Sequence, residues 1–223
     1  MTITELQIVI QENQLRLDSQ QQSLLEQYAR LLAEWNEKIN LISRKDTDHI
    51  LDRHIFHSLV LAMPAICDYD FRDKRVLDIG TGGGLPGIPL KIAVPTLDIT
   101  LVDSTQKKIM AVNEMISAIG LTGIRAIAAR VEEFAKVPEH SHAYNAIVSR
   151  AVAPLEDMAK WSRGLLKPGG VLFSLKGGDL SEEINRTKRL KFVAHVAEKP
   201  LDLIGYPDFQ RDEKKLVRVD FNK

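Results

Sequence analysis

The chain has 223 residues, of which 44% are hydrophobic, and its 30 basic and 30 acidic side chains give a formal net charge of zero. This length predicts one domain with at most a small addition, and the balanced charge excludes an overall basic field for nucleic acid. The single cysteine excludes a disulfide framework and a cysteine-rich zinc site. No apolar run reaches membrane-span length and no signal-peptide pattern opens the chain, so we expect a cytoplasmic protein with neither membrane nor metal partner.

Residues 1–64 are predicted to form a helical extension. Apolar residues recur at three- and four-residue spacing over residues 24–39, which is typical of one face of a helix. A further helix is predicted over residues 47–63. The polar side of this helix carries Arg53, His54, His57 and Ser58. That side is either a solvated face or a wall that faces a substrate.

From residue 65 onward, apolar runs and helical patterns alternate, which predicts a doubly wound, mostly parallel sheet. Seven runs are predicted strands: residues 76–79, 97–102, 124–129, 144–148, 171–175, 192–196 and 216–219. The last two runs have no helix pattern between them. This favours an antiparallel terminal hairpin, as in S-adenosylmethionine-dependent methyltransferases, over a further parallel unit.

The segment RVLDIGTGGGLPG, residues 75–87, predicts a strand, a glycine loop and the start of a helix. Glycines let backbone amides approach a nucleotide closely. One interpretation is the dinucleotide fingerprint Gly82-x-Gly84-x-x-Gly87, as in an NAD-dependent oxidoreductase. The other is Asp78-x-Gly80-x-Gly82, in which a carboxylate lies beside the loop. A carboxylate repels a diphosphate and suits the cationic S-adenosylmethionine, which we therefore favour unless Asp78 only caps a turn.

Ligands bind such sheets at the carboxyl ends of the strands. Asp103 ends the second strand, placed to accept hydrogen bonds from ribose hydroxyls. Residues 130–132 follow the third strand and either offer a backbone amide to adenine or form a plain connection. Arg150 ends the fourth strand, where it either faces the transferred methyl group and its acceptor or pairs with Asp78 or Glu156.

The residues after the fourth strand, SRAVAP, lack the Asn/Asp-Pro-Pro-aromatic motif common in methylation of amino groups of bases. No cysteine is near to act as the nucleophile that pyrimidine C5 methylation requires. Guanine N7 has an exposed lone pair and needs mainly in-line placement. Arg150 and Lys176 are candidate catalytic residues, because cationic donors there can hold guanine O6 or a phosphate.

Seven motifs resemble the GidB/RsmG family, bacterial 16S rRNA methyltransferases. They are WNEKINLI (35–42), RHIFHSL (53–59), DIGTGGGLPGIPL (78–90), LVDSTQKKI (101–109), RVEEF (130–134), SRAVAPL (149–155) and LKGG (175–178). The resemblance implies an α/β, Rossmann-like class I fold with a mostly parallel seven-stranded sheet and an antiparallel last strand. It also implies a helical extension over residues 1–64 on a methyltransferase domain over residues 65–223.

The resemblance implies methyl transfer from S-adenosylmethionine to N7 of guanine 527 of 16S rRNA, in the small ribosomal subunit or its assembly intermediate. Carried over by position, cofactor contacts fall on Gly80, Leu85, Asp103, Val131, Glu132 and Arg150, and we add Asp78 and Gly82 from the loop. The family usually has Asp at the position of His57, and often at that of Asn145. We therefore assign no catalytic role to His57.

Other functions stay open from the residues alone. The chain could act on another RNA, a protein or a small molecule, bind S-adenosylmethionine without catalysis, or bind NAD. The basic stretch over residues 186–191 is either a solvated face or a phosphate contact, and we predict that neutralising it weakens RNA binding. We expect a monomer.

Overall fold

In the computed structural model, which describes residues 1–222, seven strands form one sheet in the order β3-β2-β1-β4-β5-β7-β6. The strands are β1 (Arg75–Ile79), β2 (Asp98–Asp103), β3 (Ile124–Ala128), β4 (Tyr144–Arg150), β5 (Leu166–Gly177), β6 (Val193–Pro200) and β7 (Lys214–Phe221). Strand β7 runs antiparallel to β5 and β6, and the pairs from β3 to β5 are parallel. The predicted fold class is confirmed.

The helices are α1 (Ile3–Glu12), α2 (Ser19–Lys38), α3 (His57–Leu59), α4 (Gly87–Ala93), α5 (Gln106–Ala118), α6 (Val131–Phe134), α7 (Leu155–Arg163), α8 (Ser181–Lys188) and α9 (Asp208–Arg211). Asp18 caps α2 by accepting from the Gln21 amide, while the Gln21 side chain accepts from the Asp18 amide. This reciprocal cap satisfies two donors at the helix start. Helix α9 lies in the β6–β7 connection, where the sequence predicts no helix.

The helix predicted over residues 47–63 is observed as an irregular helix, a run of turns that changes pitch three times. A 3₁₀ turn (Arg44–His49), a π turn (Ile50–Phe56), α3 and a second 3₁₀ turn (Val60–Ala62) follow one another. Wider π turns are frequent at functional sites. Here the change of pitch turns His54 and His57 toward the sheet, and both side chains are buried.

Alternate residues of the strands point to opposite faces of the sheet, so each face has its own core. Val76 and Val148 pack in one core with Leu25, Tyr28 and other buried residues of the first 62. On the opposite face, strand residues such as Leu77 and Ile147 pack with side chains of α7. Across the part of the chain that the structure describes, no helix combines the length and apolar character needed to span a membrane.

Candidate functional site

The carboxylate of Asp78 lies beneath the glycine loop and is fully buried. Its Oδ2 accepts hydrogen bonds from the Thr81 hydroxyl at 2.7 Å and from the Gly87 amide at 2.9 Å. Burial, the main cause, raises the pKa of Asp78 to about 7. Because Gly87 opens α4, the carboxylate takes the amide that a dinucleotide phosphate would use at such a helix start. The geometry therefore disfavours the NAD interpretation.

The first 43 residues support the loop from its other side. The hydroxyl of Tyr28 donates to the Gly83 carbonyl at 2.9 Å, and burial raises the pKa of Tyr28, which keeps the hydroxyl a donor. The side-chain oxygen of Asn36 accepts from the amides of Leu41 and Ile42. A Cβ on Gly83 would lie 3.2 Å from that of Leu41. Only glycine allows this close approach without displacing its neighbours.

A cavity of about 310 Å³, here the loop cavity, opens at the carboxyl ends of β1 to β4. It brings together five residues that the sequence predicts as cofactor ligands: Gly80, Asp103, Val131, Glu132 and Arg150. Trp161 of α7 and Val152 also line it. Trp161 lies outside the quoted motifs, and Val152 lies within SRAVAPL but is assigned no role from the sequence. The loop cavity thus combines the carboxylate of Asp103, the glycine backbone at Gly80 and apolar side chains.

The chemistry of the loop cavity fits the adenosine part of S-adenosylmethionine. Each oxygen of Asp103 accepts one backbone amide, from Gly82 or Thr105, which leaves further lone pairs for ribose hydroxyls. Gly80 has φ +69°, and a Cβ there would lie 2.5 Å from the Val152 side chain. Val131 begins α6, so its amide precedes the first intrahelical bond of that helix and is open to an adenine ring.

Three other predicted cofactor residues lie around the loop cavity rather than on its wall. Asp78 is beneath the loop, Gly82 holds Asp103 through its amide, and the Leu85 side chain is buried. In this structure they shape the loop. Their direct contacts with a cofactor stay predictions.

A second cavity of about 590 Å³, here the histidine cavity, lies between the irregular helix, the ends of β4 and β5, and the segment that contains α9. Its wall includes three histidines: His49, His54 and His57. The sequence analysis left Arg53, His54, His57 and Ser58 as either a solvated face or a substrate-facing wall. The first three line this cavity, which favours the wall, whereas Ser58 is buried and donates to the His54 carbonyl. Arg150 and Ala151 line both cavities, so the two enclosures adjoin at the end of β4.

Arg150 is fixed at this shared wall by a neutral histidine. Its Nη1 donates to Nδ1 of His54 at 2.8 Å, and because arginine is only a donor, the imidazole proton lies on Nε2. Burial and the charge of Arg150 lower the pKa of His54 to about 4. Neither carboxylate suggested by the sequence holds Arg150, since Asp78 binds the loop and Glu156 pairs with Arg186.

Lys176 lines the histidine cavity with its ammonium group in an ion pair. Its Nζ lies 2.7 Å from Oε2 of Glu183 and donates to the Ala153 carbonyl at 2.9 Å. The same carboxylate oxygen accepts from the Leu155 amide. A catalytic role for Lys176 stays a prediction, and the geometry shows that Lys176 also joins β5 to α8.

His57 is 5% exposed and packs against Phe209, with 5.1 Å between ring centroids. Burial lowers the pKa of His57 well below its usual value, so the imidazole is neutral. It therefore supplies no charge where the resembled family usually has Asp. Within residues 1–222, no cluster of three or more His, Cys, Asp or Glu side chains is arranged to hold a metal ion.

Comparisons with known proteins agree with this site. The chain matches a family model for GidB, described as rRNA small subunit methyltransferase G, over residues 21–207. It is 46% identical over 201 residues to the ribosomal RNA small subunit methyltransferase G of Chlorobaculum tepidum, covering 87% of each chain. The same-named protein of Chlorobium luteolum is 46% identical over 207 residues, 90% of this chain and 82% of that one.

Among solved structures, a predicted O-methyltransferase from Agrobacterium tumefaciens superposes with a TM-score of 0.58. Its sequence is 14% identical, and the match covers 75% of this chain and 81% of that one. At this identity the likeness concerns the fold alone. It is the fold of a methyltransferase, in agreement with the strand order observed here.

Proposed function

The chain belongs to the GidB family, the rRNA small subunit methyltransferases G, and on that premise we propose that it methylates N7 of guanine 527 in 16S rRNA with S-adenosylmethionine. One observation carries the proposal beyond the family. The loop cavity and the histidine cavity adjoin at Arg150 and Ala151. A methyl donor bound in the loop cavity would therefore face a methyl acceptor bound in the histidine cavity.

The loop cavity would hold the cofactor through Gly80, Asp103, Val131, Glu132 and Arg150. S-adenosylmethionine supplies a methyl group on a sulfonium leaving group, so this chain needs no metal or nucleophile to activate the methyl carbon. Asp103 would accept hydrogen bonds from the ribose hydroxyls, and the first amides of α6 would lie beside the adenine. Arg150 ends the enclosure on the side where the methyl group must leave.

Guanine N7 has a free lone pair and carries no proton at neutral pH, so the chain has no base to supply. When bound, S-adenosylmethionine would supply the methyl carbon: its sulfur–carbon bond would break as the N7–carbon bond formed, the bonding pair would stay on sulfur, and the guanine would take the positive charge. Burial lowers the pKa of His54 and of His57, which makes both imidazoles weak bases and agrees with a site that positions its substrate and removes no proton. Placement is then the main catalytic contribution.

We further propose that the substrate is presented in the cytoplasm by the small ribosomal subunit or its assembly intermediate, to a monomer of this chain. Arg53 and Arg211 line the histidine cavity in ion pairs with Asp46 and Asp208, and phosphates of the substrate would exchange with these carboxylates. The basic stretch over residues 186–191 begins in α8, where Arg186 pairs with Glu156, and its later part leads into β6 at the opposite end of the sheet from both cavities. Its predicted RNA contact is therefore secondary.

The decisive experiment is methyl transfer from labelled S-adenosylmethionine to small subunits that lack the modification, beside deproteinised rRNA. Digestion and mass spectrometry locate the label. We expect 7-methylguanosine at position 527, and more of it with subunits than with free rRNA. Label in a protein or at another nucleotide would replace the proposed substrate, and calorimetry that detects NADH but no S-adenosylmethionine would overturn the cofactor.

A further inference from the structure

The histidine cavity presents hydrogen-bonding groups that nothing in the described residues uses. Asp52 Oδ1, His54 Nε2 and His57 Nε2 are buried on its wall without a hydrogen-bond partner. The side chains of His54 and His57 are more than nine-tenths buried. Buried polar groups in proteins are normally satisfied, so unused ones around a cavity point to a ligand. At about 590 Å³, the cavity has the size of a small-molecule site.

One wall of the histidine cavity is aromatic. Tyr206 packs edge-on against Phe209 at 4.9 Å between centroids, and both line the cavity. Unpaired RNA bases stack on exposed aromatic rings, and Tyr206, which is partly exposed, is the ring of this wall that a base can reach. Phe209 is 2% exposed and stacks on Phe56 of the irregular helix at 5.0 Å between centroids, so the segment between β6 and β7 touches the irregular helix at this wall.

The polar groups match guanine better than adenine. Guanine offers O6 as an acceptor and N1–H and the 2-amino group as donors. Arg150 is a donor, and the free Oδ1 of Asp52 is an acceptor. Adenine reverses the first group, because its 6-amino group would meet the guanidinium of Arg150. Asp46 and Asp52 also favour the positive charge that the guanine gains on methylation.

We propose that the histidine cavity seats the acceptor guanine, and that His54 is a positioning residue that holds Arg150 against it. This inference rests on the proposed methyl transfer and names the place of its substrate. His54 Nδ1 accepts from Arg150 at 2.8 Å, whereas the Asp46 carboxylate lies 3.6 Å from His54 Nε2, beyond hydrogen-bond distance. A neutral imidazole between an acid and a guanidinium holds its tautomer and aims the arginine.

Two glycines provide a matched test of the cavity. Gly177 lines it, and a Cβ there would have no neighbour closer than 3.5 Å; Gly164 ends α7 away from both cavities and has open space. Neither has a positive φ. We expect Gly177→Leu to lower methyl transfer to small subunits at least about tenfold with S-adenosylmethionine affinity within about twofold of wild type. Gly164→Leu should change neither quantity.

If Gly177→Leu labelled small subunits as well as the wild type does, the guanine would lie outside the histidine cavity, while the proposed function would stand. Absence of labelling by the wild type would instead overturn the proposed function. These two failures are therefore distinct. A loss of S-adenosylmethionine binding in Gly177→Leu would also contradict the assignment of separate cavities.

The positioning role of His54 is tested by two substitutions. His54→Leu removes the acceptor for Arg150, whereas His54→Asn keeps an oxygen near the position of Nδ1. We expect His54→Leu to lower kcat at least about tenfold with KM for S-adenosylmethionine little changed, and His54→Asn to recover most of the rate. Equal rates in all three proteins, or equal losses in both variants, would assign His54 to packing alone.

Discussion

The two cavities that adjoin at Arg150 are built in different ways. The loop cavity is lined mainly by residues within a few positions of the ends of β1 to β4. The histidine cavity joins three distant parts of the chain: residues 46–57, the ends of β4 and β5, and residues 206–214. Strand ends leave a local signature in a sequence, and an enclosure between distant segments leaves none. Substitutions that act on one cavity or on both can test this division.

Arg150→Ala should have the largest effect, because Arg150 belongs to both walls. We expect methyl transfer to fall by about 100-fold or more, equivalent to about 2.7 kcal/mol of transition-state stabilisation. Single-turnover assays on small subunits would measure this, with a thermal melt to confirm folding. Arg150→Lys is the control that keeps the charge and loses the planar fork. A folded Arg150→Ala protein with a rate near that of wild type would remove Arg150 from the mechanism.

Gly80→Ala should disturb the loop cavity alone. A side chain at φ +69° strains the backbone by about 1–2 kcal/mol, and the new Cβ meets Val152. We expect S-adenosylmethionine affinity to drop about tenfold in calorimetry, with binding to small subunits unchanged. The double variant Gly80→Ala/Val152→Ala should recover only the part of the lost S-adenosylmethionine affinity that is due to the clash with Val152. Unchanged cofactor affinity in Gly80→Ala would contradict our placement of the cofactor.

Lys176→Met should act on the histidine cavity alone, with a smaller loss of turnover of about fivefold and no change in S-adenosylmethionine affinity. Glu183→Gln is its partner control, because it breaks the ion pair and keeps the ammonium group. Both variants should lose stability on the order of 2 kcal/mol, since the pair is partly buried. Turnover assays and urea unfolding separate these effects. Equal turnover in the two variants would show that Lys176 acts only through its ion pair with Glu183 and has no catalytic role.

Asp78→Asn is a test of stability, because the carboxylate of Asp78 is buried beneath the glycine loop and lines neither cavity. Its pKa of about 7 in the folded chain exceeds the unfolded value near 4. The folded chain therefore keeps its proton longer, and stability is lost as pH rises from about 4 to about 7, by about 1.4 kcal/mol for each unit of pKa difference. The lowered pKa values of His54 and His57 act in the opposite direction in both proteins, so the free energy of urea unfolding should change less favourably from about pH 5 to about pH 8 in wild type than in Asp78→Asn. Parallel stability profiles in the two proteins would refute it.

The sequence predicts the sheet well because its cause is local. Each strand is a short apolar run, and the missing helix pattern before β7 indicates the antiparallel partner. The irregular helix is different, since its pitch is set by packing of Ile55, Phe56 and Leu59 in the core rather than by propensity. Periodicity predicts a helix there and does not show which polar groups turn inward.

The same division applies to the site. Gly80 and Asp103 are predictable because their strand and loop positions define what they can reach. Asp78 is predicted from sequence to contact the cofactor, and this contact stays a prediction, but no pattern in the sequence shows that the first amide of α4 binds its carboxylate under the loop. Tyr206 and Phe209 carry no motif, and they reach the site only through the return of the chain before β7. Sequence spacing contains no information about that return.

The hydrogen bond from Tyr28 to the Gly83 carbonyl makes α2 and the glycine loop a unit that must be inherited together. Each residue of a helix turns the next by about 100°, so a single insertion in α2 before Tyr28 carries its hydroxyl to another side. The glycine loop would then lose its hydrogen bond to Tyr28 although its own sequence was unchanged. Chimeras between relatives that exchange the first 43 residues should therefore exchange residues 80–87 with them.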